Sequence, residues 1–122
     1  MAILPKFLLL LRPTRKEERI GEFVTVRSFN LYSEDTAASK LYSQYKEILH
    51  RLATDLNEVI VVKKITGRYL AVYLDGTKII SLYLSFEFGS FCGVRCLPSP
   101  ELFPVDQDKL RPYTDEIEKI RL

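Results

Sequence analysis

The chain has 122 residues, enough for one domain that buries roughly two-thirds of the surface its unfolded chain exposes, so a core needs no disulfide or metal staple. Hydrophobic residues make up 47% and charged residues 28%, which excludes a wholly disordered chain. A formal net charge of +2 is too small to argue nucleic-acid binding from the global field.

The apolar stretch Ala2 to Leu11 is interrupted by Pro5 and Lys6. No basic segment precedes it and no small-residue cleavage pattern follows, so it does not read as a signal peptide. Phe7 to Leu11 is far shorter than the roughly 20 residues that span a bilayer, and it is expected to be a buried strand. No other segment is suited to crossing a membrane. Arg12 to Arg19 reads as a mixed-charge loop, and Gly21 opens a second strand, Glu22 to Phe29, which suggests an N-terminal hairpin, with a longer, less direct pairing as the alternative. Ser33 is a helix N-cap, with Glu34 and Asp35 at the positive end of the dipole. The helix runs to about Leu56. Ala38, Leu41, Tyr45, Ile48, Leu49, Leu52 and Leu56 form its apolar stripe. Lys46, Glu47, His50 and Arg51 lie off the stripe, with Glu47 and Arg51 as an i, i+4 pair.

A four-strand meander follows: Glu58 to Ile65, Arg68 to Leu74, Lys78 to Phe88 and Phe91 to Leu97. Thr66-Gly67, Asp75-Gly76 and Gly89-Ser90 supply the turns. Pro98, Pro100 and Pro104 end the sheet, because proline cannot donate to a ladder. Asp106 to Arg111 reads as a short turn. Pro112 suits the first position of a terminal helix with Tyr113, Ile117 and Ile120 on one stripe. The expected architecture is a single α+β domain: an antiparallel sheet, one long helix on one face and a short C-terminal helix.

Parity makes this expectation sharper. The long strand places Ile80, Leu82, Leu84, Phe86 and Phe88 on one face and Ile79, Ser81, Tyr83, Ser85 and Glu87 on the other. The strand before it offers Leu70, Val72 and Leu74 against Tyr69, Ala71 and Tyr73. A two-residue loop would pair Val72 with Ile79 and mix the sets, since a one-residue slip flips every side chain. A three-residue loop with Gly76 left-handed and bulged keeps the aliphatics together. Tyr69, Tyr73, Ile79 and Tyr83 would then share the face opposite the core. Tyrosine is amphipathic and favoured at recognition surfaces, so this face is the candidate partner-binding site. The ordinary alternative is cross-strand packing beneath the N-terminal hairpin or the last helix.

Catalytic and metal chemistry find little support. His50 is the only histidine and falls on the polar side of its helix. Cys92 and Cys96 lie about 13 Å apart in one strand, too far for a disulfide, and with one distant histidine they make a poor zinc set. As buried thiols they suit a reducing, cytoplasmic setting. The carboxylates have ordinary roles in helix first turns, loops and solvated faces, and no phosphate-binding glycine loop is present. Gly93 marks a bulge or a close backbone approach. No cofactor is expected, and the chain reads as non-enzymatic. Arg12, Arg15, Lys16 and Arg19 cluster in the first loop, and Lys63, Lys64 and Arg68 lie near the meander's first turn. With the tyrosines they suggest a second role, a small nucleic-acid-binding surface. The first expectation is a protein-binding or assembly module, with another protein or a second copy of the chain as partner.

The order helix, meander, proline-rich crossing and terminal helix, from about Ser33 to Ile120, is similar to that of RWD-type interaction modules. The likeness is one of element order. Leu97 to Pro104 carries three prolines without the tyrosine-containing proline motif of that family, and the N-terminal hairpin lies outside its scheme.

Overall fold

A computed structural model describes residues 16–21, 31–32, 36–99 and 106–122. Its elements are β1 (Glu17–Ile20), α1 (Thr36–Leu56), β2 (Ile60–Lys64), β3 (Tyr69–Leu74), β4 (Thr77–Glu87), β5 (Ser90–Pro98) and α2 (Gln107–Glu118). The strands form one antiparallel sheet in sequence order, β1-β2-β3-β4-β5, so the class is α+β. The meander stands where the alternation puts it. A further strand pairs beside it. Glu17 to Arg19, which read from sequence as part of a loop, pair with Lys63, Val62 and Val61. Their charge hides a period of two: Glu18 and Ile20 are buried while Glu17 and Arg19 are exposed. Gly21 follows this strand. The expected hairpin of Phe7 to Leu11 with Glu22 to Phe29, and the Ser33 cap, lie outside the described residues.

Inward-facing residues of every strand meet α1. Ile20, Ile60, Val62, Leu70, Val72, Ile80, Leu82, Val94 and Cys96 pack with Ala38, Leu41, Tyr42, Tyr45, Leu49, Leu52 and Ala53. Each fully buried aliphatic side chain contributes about 2 kcal/mol over the exposed state. Leu56 is only partly buried at the helix end. Leu110, Thr114 and Ile117 seat α2 in the same core. This helix starts earlier than expected, because the Asp106 side chain accepts a hydrogen bond from the Asp108 N–H at 2.9 Å and caps it. Pro112 therefore lies inside the helix rather than at its first position, forfeiting one backbone hydrogen bond.

The outer edge of β5 is closed by the chain's own C-terminal end. Glu118 accepts from the Cys96 N–H at 3.1 Å, and the Leu122 N–H donates to the Cys92 carbonyl at 2.9 Å. Arg121 bridges to Gly93, where an added Cβ would lie 3.1 Å from the Arg121 guanidinium. Gly93 is thus the close approach that its position suggests. An edge so occupied is a poor template for another strand.

The turn between β3 and β4 differs from the parity expectation while keeping its result. Leu74 pairs with Thr77, so the loop has two residues, not three. Asp75 and Gly76 both take positive φ, 50° and 77°, as a primed turn requires. The register then shifts by one inside the ladder: Tyr73 faces Lys78, and Val72 faces Ile80. The extra residue is Ile79, bulged out of β4. The aliphatic rows meet as expected, Val72 with Ile80 and Leu70 with Leu82. A bulge costs less than exposing that row.

The interior also holds charge. Lys46, expected on the solvated side of α1, is 18% exposed and forms an ion pair with Glu18, which is 6% exposed. Tyr42 stacks edge-on with Tyr32 and Tyr45 at centroid separations of 6.2 and 5.0 Å. The Lys46 ammonium lies 5.6 Å from the Tyr42 centroid, and that of Lys64 lies 4.3 Å from Tyr32. The cations are accommodated by aromatic rings as well as by Glu18. Arg51, expected to pair with Glu47, instead bonds Glu116 and ties α1 to α2.

Lys46→Met should destabilise the fold by about 3 kcal/mol in urea unfolding, because a buried carboxylate then loses its cation. The double variant Glu18→Leu with Lys46→Met should recover most of that loss.

Candidate functional site

The sheet face away from α1 and α2 is ordered in rows across the strands. Arg19, Val61, Tyr73 and Lys78 form one row. Glu17, Lys63, Ala71, Ser81 and Leu97 form the next, and Tyr69, Tyr83 and Arg95 the third. Tyr69 and Tyr83 stand opposite each other, and their rings stack at 4.8 Å with planes 12° apart. Lys78 donates to the Tyr69 hydroxyl at 3.5 Å, and that hydroxyl also lies 3.5 Å from Ser81 Oγ. The bond to Tyr69 raises the Lys78 pKa, so the ammonium stays charged. Lys63 lies 4.8 Å above the Tyr73 ring and pairs with Glu17 at 3.4 Å.

Of the four residues that the sequence pattern assigns to this face, three are on it. Tyr83 is 43% exposed, and Tyr69 and Tyr73 are half-buried. Ile79 is 1% exposed and belongs to the core, because the bulge turns it away from the alternation that assigns it outward. Of the four basic residues, Arg19 is exposed on β1 in the row of Tyr73 and Lys78, and Lys16 is exposed just before that strand. Arg12 and Arg15 lie outside the described residues. Lys63, expected among the basic residues that accompany the tyrosines, lies on this surface, and Lys78 and Arg95 join it without having been expected there. Their signal is the register itself, which places each beside a tyrosine.

The β4–β5 hairpin tip is a second departure. Alternation assigns Phe86 and Phe88 to the core face, yet Phe86 is 42% exposed and Phe88 fully so. The turn falls on Phe88 and Gly89, one residue earlier than expected, and Phe88 takes φ 53°. Phe86 meets Phe91 edge-on at 5.1 Å, and Arg68 lies 4.5 Å from the Phe86 centroid. Cys92 is the extra residue of a second bulge, between the pairs Ser85–Gly93 and Phe86–Phe91. That shift leaves Cys92 only partly buried, whereas Val94 and Cys96 are buried as expected.

His50 is exposed on α1, as its helix position predicts. Among the described residues, no group of three His, Cys, Asp or Glu side chains is placed to hold a metal ion. No described helix is long and apolar enough to cross a membrane. Burial, reinforced by Glu118 and Asp115, pushes the Cys96 thiol well above its ordinary 9.0. Burial raises the Tyr45 phenol in the same way, with Tyr32, Glu18 and Cys96 adding to it. Tyr113 donates to Asp55, and this bond raises its pKa and joins α2 to α1. No protein-family model, curated protein or solved structure gives a significant match to the chain.

Two outcomes follow from this geometry. Phe88→Asn should stabilise the protein by about 1 kcal/mol in thermal unfolding, because asparagine tolerates the left-handed turn position and no buried contact is lost. Stability should also fall as pH rises above about 9. The unfolded chain then ionises its Cys96 and Tyr45 equivalents, while the folded state keeps both neutral. Cys96→Val should flatten that alkaline decline in denaturant titrations at several pH values.

Proposed function

We propose that the chain is a non-enzymatic protein-binding module whose contact surface is the tyrosine-bearing face of the sheet. The observation that carries this reading is the stacked Tyr69–Tyr83 pair, with Tyr83 exposed and Tyr69 half-buried on the side that neither described helix covers. Stacking across the strands holds the rings in place before any partner arrives, so less rotamer entropy is lost on binding. Tyrosine offers apolar area and a hydroxyl from one rigid side chain. Leu97, 42% exposed, extends the apolar part beyond Ser81. Free thiols at Cys92 and Cys96 support a reducing, cytoplasmic setting.

A second reading, a small nucleic-acid-binding protein, draws on one observation. Arg19 joins Lys78 and Tyr73 in a single row, which brings part of the basic segment to the tyrosines.

Replacing Tyr83 with photoreactive benzoylphenylalanine in cells tests both readings, with the same group at the exposed Glu47 of α1 as reference. Adducts to protein at position 83 and not at 47 are expected. Adducts to RNA or DNA at 83 would favour the second reading. Equal labelling at the two positions, or none at 83, would contradict the surface assignment.

A further inference from the structure

Resting on the protein-binding reading, we propose that the partner presents an acidic segment to this face and is not a second copy of the chain. The charged groups that flank the tyrosines on this face are mostly cations, with Glu17 beside Lys63 and Glu87 farther along β4 at the hairpin tip. Lys63, Lys78 and Arg95 surround the tyrosines, and the Tyr69, Tyr73 and Tyr83 hydroxyls each carry a proton to donate. Glu17 pairs with Lys63. Among the described residues, no carboxylate comes within 4.0 Å of Lys78 or Arg95, so both charges remain for an outside acceptor. Carboxylates are the acceptors that match ammonium and guanidinium donors, and the guanidinium fork takes them two bonds at a time.

The same charges argue against self-association. A two-fold interface sets a patch against its own copy, so residues near the axis meet their own kind. Here that would bring Lys78, Arg95 and Lys63 toward the same cations of the second chain, and like charges juxtaposed across an interface repel. Nucleic acid is the weaker match for another reason. Stacking of bases needs free ring faces. Tyr69 and Tyr83 already spend one face each on the other, and Lys63 lies over Tyr73. Phenol hydroxyls, Ser81 and the cations are still able to receive carboxylates.

Selection of a displayed library of random 12-residue peptides against the whole chain tests the proposal, with Tyr83→Lys and Lys78→Glu variants of confirmed fold as controls. Enriched peptides should be rich in Asp and Glu, lose at least 10-fold in affinity against each variant, and weaken as salt is raised. Neutral or basic enriched peptides that still fail on Tyr83→Lys would overturn the acidic partner and leave the protein-binding reading standing. Peptides that bind Tyr83→Lys as well as the parent, or a selection with no enrichment, would overturn both. A solution mass that doubles with concentration and reverts in Tyr83→Lys would show the second copy to be the occupant and would also overturn the proposal.

Discussion

One residue's displacement from the β4 ladder decides which side chains this sheet hides and which it shows. With Asp75 and Gly76 in a two-residue primed turn, a regular ladder would set Val72 opposite Ile79 and mix aliphatic with polar residues on both faces. The bulge at Ile79 restores agreement beyond it. Leu70, Val72, Ile80 and Leu82 then form one surface for α1, and Tyr69 is brought opposite Tyr83 on the other. The turn chemistry and the core pattern make incompatible demands, and the bulge satisfies both. Core burial is worth several side chains at about 2 kcal/mol each, so the fold accepts an irregular ladder.

The remaining architecture protects that arrangement. On the β5 side, Glu118, Arg121 and Leu122 occupy the edge groups that would otherwise recruit another strand. On the β1 side, the Lys46–Glu18 pair anchors the first strand to α1, with Tyr42 alongside the ammonium. Arg51 to Glu116 and Tyr113 to Asp55 tie the two helices together. The outer face receives none of these closures. It is left with tyrosines whose rings are ordered by one another and with two cations, Lys78 and Arg95, that lack a carboxylate partner among the described residues. A chain that only needed a solvated sheet face would be served by threonines and serines there. The aromatic rows are the reason to invoke a partner.

Much of this fold is legible in the amino-acid sequence. The long helix announces itself through the spacing of Leu41, Tyr45, Leu49 and Leu52, all of which are buried. The meander follows from alternation in β4, and the aliphatic pairing of β3 with β4 from parity. What the pattern does not carry is where the fold places its irregularities. Parity requires one extra residue but does not say whether it sits in the loop or in the strand, so it puts Ile79 on the wrong face. The strand Glu17–Ile20 is hidden because a buried glutamate looks like a loop residue until its partner, Lys46, is found 28 positions away on the helix. Lys63 is in view, but Lys78 and Arg95 escape notice for a related reason. Lys63, Lys78 and Arg95 belong to three different strands, and only the register brings them around the tyrosines.

The register of β3 against β4 is therefore the decisive quantity, and cross-strand nuclear Overhauser contacts read it directly. Backbone contacts are predicted between Val72 and Ile80 and between Tyr69 and Tyr83, with Leu74 against Thr77 at the turn. Contacts placing Val72 against Ile79 would mean an unbulged ladder with mixed faces, and the tyrosine surface with its proposed role would fall with it.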